Sequence, residues 1–241
     1  MKEPRVIAET AAFLVLYKPA GMHSAPLKAN EEGTLLAWCA DKFPETLLVR
    51  GRKAIEGGLV HRLDGETAGL VLVARTQAAF DQLHRQQEAG TLIKDYVARC
   101  TRLEITAGRL GFPPPPSWSG IPLVVESAFR PFGPGRRAVR PVSGGDEGRT
   151  PGFGDDRGLG YRTEVREWGE EKDLSLRLVV RLTRGFRHQI RCHLAWLGLP
   201  IIGDTLYGGE VRPGEGLALL AQSLYFRDPD SDVPYRFSVE G

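Results

Sequence analysis

The sequence predicts an α+β fold, a mixed sheet with few helices and large loops. Three observations lead there. Short apolar runs of β character recur between turn residues. Only three stretches carry helical spacing. A Pro- and Gly-rich segment around 108–160 shows no long periodic element. The 241 residues suit one domain spanning 1–241 with that segment as a large insertion.

Phe13 to Tyr17 is an apolar run closed by Lys18-Pro19-Ala20-Gly21, a strand followed by a turn. Thr34 to Phe43 reads as a helix, with Thr34 as N-cap and Pro44 beyond its end. Gly69 to Ala74 is β-rich enough to be a buried strand. Thr76 opens a polar helical stretch that ends at Gly90. Ile93 to Leu103 alternates as a strand carrying Lys94 and Tyr96. Within 108–160, Pro113-Pro114-Pro115-Pro116, Gly144-Gly145 and Pro151-Gly152-Phe153-Gly154-Asp155-Asp156 point to irregular loops around one or two short strands. Tyr161–Trp168 and Ser175–Leu182 read as paired strands. Arg187 to Leu197 has helical spacing of Ile190, Leu194 and Leu197, and Leu217 to Phe226 is a last β-like run.

At 41% hydrophobic and 26% charged residues, the composition is that of an ordinary globular protein, and no apolar run approaches bilayer-spanning length. No membrane association is expected. Cys39, Cys100 and Cys192 are scattered and odd in number, which points to reduced thiols and a cytoplasmic setting. A net charge of +2 does not mark a nucleic-acid binder by itself. Arginines cluster locally, however: Arg130, Arg136, Arg137 and Arg140 in one segment, Arg181, Arg184, Arg187 and Arg191 in another. Such patches either neutralise phosphates or form a solvated surface.

Three constellations carry chemistry. His61-Arg62-Leu63-Asp64-Gly65-Glu66-Thr67-Ala68-Gly69 leads directly into a buried strand, so Asp64 sits in a loop held by a rigid sheet. It reads as a functional carboxylate or as a turn cap bonded to its own backbone. In Arg187-His188-Gln189-Ile190-Arg191-Cys192-His193-Leu194, a helix puts Arg187 and Arg191 on one face at i, i+4. Arg191 then requires a carboxylate partner, either Asp64 or a structural one such as Asp204. His188 and His193 are five apart, which does not stack two metal ligands on one helical face, so no metal is expected. In Lys94-Asp95-Tyr96 the alternation places Lys94 and Tyr96 on one face of a strand. Tyr96 is then a base-stacking ring or the cover of a half-buried core. A hydrolase using Asp64 with Glu66 fits poorly, because both sit in one loop and glycoside hydrolysis needs carboxyls on opposite sides of the scissile bond.

Together these segments resemble the RluA-type pseudouridine synthase family. Lys18-Pro19-Ala20-Gly21 is similar to its KPaG segment, and His61 through Gly69 matches HRLDxxTxG. Lys94-Asp95-Tyr96-Val97-Ala98 is similar to KxYxA. His188-Gln189-Ile190-Arg191-Cys192-His193-Leu194 matches HQIRxHL. The tail Gly203-Asp204 with Leu206-Tyr207-Gly208-Gly209 also agrees. The resemblance runs from residue 12 to about 226.

The resemblance implies a mostly antiparallel sheet around a central active cleft, and an isomerase that turns uridine into pseudouridine in structured ribosomal or transfer RNA. It gives Asp64 the nucleophile's role, Tyr96 that of stacking on the target base, and Arg191 that of keeping Asp64 charged. Arg62, Lys94, Arg187, His188, Gln189, Arg136 and Arg137 become the expected RNA contacts. No cofactor is implied, and a monomer is the expected state. The alternative is a catalytically silent RNA-binding protein of the same fold. Three departures stand out. Ala68 replaces the family's usual Ser, with a modest effect expected. Gly185-Phe186-Arg187 replaces GRT, displacing an Arg by one position. The KPaG segment begins at Lys18, so no separate upstream RNA-binding domain is expected.

Overall fold

The computed structural model describes residues 3–28, 31–103, 109–118, 120–142 and 160–240. In chain order the elements are β1 (Arg5–Glu9), β2 (Phe13–Lys18), α1 (Leu35–Ala40), β3 (Ala68–Ala74), α2 (Gln77–Ala89), β4 (Ile93–Cys100), β5 (Leu123–Phe132), β6 (Ala138–Val142), β7 (Tyr161–Glu170), β8 (Leu176–Leu182), α3 (Gln189–Trp196), β9 (Leu219–Arg227) and β10 (Pro234–Ser238). This is the α+β class expected. Two compact units result: Met1–Asp95 with Leu220–Gly241, and Tyr96–Leu219.

In the first unit the strands run β1-β2-β3-β9-β10. All pairs are antiparallel except β3 with β9, which makes the sheet mixed. β3 reads Ala-Gly-Leu-Val-Leu-Val-Ala and is buried from Gly69 onward, as a strand without a polar face must be. α2 packs against it with Ala79, Phe80 and Leu83. The Thr76 hydroxyl caps the start of α2 by accepting from Ala79 N, and Gly90 ends it in the left-handed conformation. Thr34 caps α1 through Ala37 N, but that helix stops at Ala40, earlier than the sequence pattern indicated. β10 was not anticipated. Its Tyr235 and Phe237 alternate inward to meet Phe13 and Phe226 edge-on and stacked.

One glycine decides how β3 meets β9. Gly69 has φ +128°, and a Cβ there would lie 2.3 Å from Ala221 O and 2.6 Å from Ala221 N. Both neighbours are backbone atoms of a paired strand and have no room to retreat. Gly69→Ala is expected to cost about 3 kcal/mol by overpacking and backbone strain. Thermal unfolding would show it as a drop of roughly 10 °C. An unchanged melting temperature would mean that the two strands separate freely.

In the second unit the order is β8-β7-β5-β6, all antiparallel. The β7–β8 pair matches the expected one. α3 packs on β6 and β7. Two expectations need correction. The segment expected to hold one or two short strands contains β5, ten residues long, whose Leu123, Val125, Ser127 and Phe129 point inward at period two. Its Pro-rich surroundings hide that alternation. The Gly144-Gly145 and Pro151–Asp156 runs lie outside the described residues. The helix also begins at Gln189, not Arg187, because His188 adopts φ 55°. Arg187 therefore stands outside the helix, and the i, i+4 pair with Arg191 does not form. All eight residues of α3 are buried.

Candidate active site

In the first unit, the loop that carries Asp64 is fastened on both sides of that residue. Leu63 exchanges two 2.9 Å hydrogen bonds with Ser24: its N–H donates to Ser24 Oγ, which donates to the Leu63 carbonyl. On the other side, the Gly65 carbonyl accepts from Gly21 N at 2.8 Å and from Lys18 Nζ at 3.2 Å. The Asp64 carbonyl accepts from Thr67 N at 3.1 Å, closing the turn. Asp64 itself is half-buried. Its backbone is therefore held on both sides.

Two basic groups frame this loop. Lys18 is fully buried, and its ammonium also donates to the carbonyls of Pro19 at 3.0 Å and Met22 at 2.6 Å. Burial lowers its pKa to about 8, and the charge of Asp64 opposes that fall. His61 is buried and neutral. Burial, helped by the nearby Lys94 cation, pulls its pKa down to about 3. Its Nε2 accepts from Leu72 N at 3.2 Å, so it acts as a brace between loop and β3. Arg62 points outward and pairs with the buried Glu56 at 2.9 Å. Lys94 is only 2% exposed, and burial lowers its pKa to about 8.

In the second unit, Tyr96 is buried near the start of the β4 portion that belongs there. Arg191 is also buried and forms a fork with Asp204: Nε to Oδ2 at 2.7 Å and an Nη to Oδ1 at 2.8 Å. Asp204 Oδ1 further accepts from Leu206 N and Tyr207 N, each at 3.2 Å. Asp204, one of the carboxylates weighed for Arg191, is thus a partner of it. Tyr207 packs its ring against the guanidinium, and its hydroxyl accepts from Val139 N at 2.8 Å.

Next to this fork, Gln189 is 2% exposed; its amide donates to Arg162 O and Thr163 Oγ1 and accepts from Phe186 N. His193 is held between Ser127 Oγ at 3.0 Å and Thr163 Oγ1 at 2.7 Å. His188 is half-buried, and burial followed by the Arg191 and Arg187 cations lowers its pKa to about 4. Among the described residues no group of three or more His, Cys, Asp or Glu is arranged to hold a metal ion.

The two arginine segments meet at one point. Arg187 donates to the carbonyls of Arg136 at 2.9 Å and Ala138 at 3.2 Å. Arg136 and Arg137 are exposed at the turn between β5 and β6. Three arginines, 51 residues apart in sequence at the widest bond, thus form one cationic corner.

The profile of RNA pseudouridylate synthases matches residues 12–196, from β2 through α3. The chain belongs to the RNA pseudouridylate synthase family. It is 31% identical over 248 residues to the ribosomal large subunit pseudouridine synthase D of Xanthomonas campestris, covering 97% of this chain and 65% of that protein. An uncharacterized RNA pseudouridine synthase of Chloroflexus aurantiacus is 35% identical over 191 residues, 79% of this chain and 50% of its own length. The chain therefore spans about half to two-thirds of the curated relatives it matches. The human RNA pseudouridylate synthase domain containing 1 superposes with a TM-score of 0.64 at 20% identity, over 99% of this chain and 84% of that one. At that identity the likeness is one of fold.

For this member of the RNA pseudouridylate synthase family, sequence reasoning missed Lys18, Ser24 and Gly21 as parts of the site. The match of Lys18 to Gly21 with KPaG was the signal for two of them. Ser24 left none, because its work is done through a backbone pair 39 residues away.

Proposed function

We propose that this chain isomerises uridine to pseudouridine in structured RNA, ribosomal or transfer, with Asp64 as nucleophile. The observation that carries the reading is Asp64 fastened between Leu63 and Gly65 beside a buried cation, in a chain of this family. The reaction breaks the bond from ribose to ring nitrogen, turns the base, and forms the bond to ring carbon; that carbon loses its proton and the freed ring nitrogen gains one. Nothing is gained or lost overall. Tyr96 stacks on the target base and assists the loss of that proton, and Arg191 supplies positive charge to the site.

Everting a base from a folded RNA costs a few kcal/mol as an order of magnitude. Phosphate contacts from the exposed Arg62, Arg136, Arg137 and Arg187, with His188 beside them, offset that cost. Lys94 and Gln189 were expected to touch RNA; both are buried, and Gln189 bonds Arg162, Thr163 and Phe186. We further propose that the protein acts as a cytoplasmic monomer without cofactor or metal. No described helix is long and apolar enough to cross a membrane.

The test is direct. Purified protein incubated with ribosomal or transfer RNA transcripts, chelator present, is expected to form pseudouridine at defined positions. A pseudouridine map of cellular RNA with and without the gene identifies which. Folded protein that binds these RNAs and modifies none would instead be a silent RNA-binding relative.

A further inference from the structure

We infer that Phe186 and Arg187 clasp the β5–β6 hairpin, so that its turn presents Arg136 and Arg137 to the phosphate backbone of the RNA substrate. The inference rests on the reading of the chain as an RNA-modifying enzyme. Phe186 and Arg187 are the positions at which this sequence departs from the family's GRT, and in the second unit both reach the same hairpin. The Phe186 ring lies nearly parallel to that of Phe129 in β5, at 3° and 5.1 Å between centroids, and 4.9 Å from that of Tyr161 in β7. Phe129 is fully buried, so this stack joins the Phe186 segment to the sheet. One residue on, Nη2 of Arg187 donates to the carbonyls of Arg136 at 2.9 Å and Ala138 at 3.2 Å, where the turn passes into β6.

That turn needs holding. Gly133, Gly135 and Arg136 have positive φ, at 76°, 62° and 54°. Glycine takes this conformation freely, whereas an arginine is strained by it. Arg187 bonds the carbonyl of the strained residue itself. The charge gathered there has one sign. Residues 127–142 and 181–199 contain no Asp or Glu, and among the described residues no carboxylate pairs with Arg136, Arg137 or Arg187. Arg136 and Arg137 are exposed. Guanidinium groups collected without a carboxylate attract a polyanion, whose phosphates shed counterions as they bind. A turn fixed beforehand loses less freedom on binding than a mobile one. Arg187 therefore adds more than its own charge: it holds two other cations where a phosphate backbone meets them.

The experiment measures affinity across salt for a ribosomal or transfer RNA transcript that the wild type modifies. It compares wild type, Arg187→Lys, the double variant Arg136→Met with Arg137→Met, and all three changes together. Lysine keeps the charge but is one bond shorter and lacks the planar fork, so it does not bridge both carbonyls. Arg187→Lys is expected to bind about tenfold more weakly and to lower the slope of log affinity against log salt by roughly one. The double variant should lose about 1.5 from that slope, the share of two phosphates. With all three changes, the lysine should add no further loss, since no cations remain for it to present. The loss in Arg187→Lys should appear in KM far more than in kcat. Amide exchange across residues 133–138 should quicken in Arg187→Lys and in Phe186→Leu, which loses the flat stack on Phe129.

Arg187→Lys with wild-type affinity and salt slope overturns the inference, as does unchanged amide exchange in either single variant. So does a triple variant in which the separate losses simply add. A double variant with the wild-type slope makes Arg136 and Arg137 a solvated surface and overturns it too, and that measurement stands even if Arg187→Lys does not fold. Wild type that neither binds nor modifies these RNAs overturns the proposed function itself, whereas active wild type with any of these failures overturns only the clasp.

Discussion

Asp64→Asn is expected to lose pseudouridine formation by about 10⁴-fold or more while keeping its fold and its RNA affinity. An amide has nearly the shape of a carboxylate but is not a nucleophile. The bonds made by the backbone atoms of Leu63, Asp64 and Gly65 survive the change. The arginines of the cationic corner are likewise untouched. Single-turnover assays with enzyme in excess read the chemistry, and RNA titration at fixed salt reads the affinity. A further consequence distinguishes this variant from one that has merely come apart. Removing the Asp64 charge leaves burial unopposed at Lys18, so its pKa must fall below about 8 in the variant. Substantial activity in a folded Asp64→Asn protein would give the nucleophile's role to another residue.

The parts of this fold legible in the sequence are those decided by neighbours in the chain. Thr34, Thr76 and Gly90 mark helix ends because a cap is local chemistry. β3 declares itself by an unbroken apolar run. β1 and β5 were harder for opposite reasons. β1 is an edge strand with a register shift between Val6 and Ala8 and no buried residue, so it lacks a hydrophobic pattern. β5 alternates clearly but sits among prolines and glycines. The start of α3 depended on the backbone at His188, which spacing does not encode.

The same division holds at the site. Asp64 stood out because its motif is contiguous, and so did Arg191. What each touches did not, since Lys18 and Ser24 reach the loop by backbone carbonyls and amides 47 and 39 residues away. Asp204 was recognised only as one possible partner. Its two side-chain bonds to Arg191 and two bonds from backbone amides are a product of the fold.

Asp204→Ala is expected to be strongly destabilising to the second unit. The Arg191–Asp204 side chains are 4% and 0% exposed. Deleting the carboxylate takes two charge-assisted bonds from a buried guanidinium, at a cost of roughly 3–5 kcal/mol. The amides of Leu206 and Tyr207 lose their acceptor at the same time. For a chain of this length the melting temperature should fall by about 10 °C or more. A double variant, Asp204→Leu with Arg191→Met, separates the charge from the packing. With neither charge of the fork present, it should recover much of the lost stability while remaining poor in pseudouridine formation. If the single variant melts within about 2 °C of wild type, the fork contributes little to stability. If the double variant is no better than the single one, the loss comes from the two amides, and Asp204 acts as a turn cap first and an ion-pair partner second.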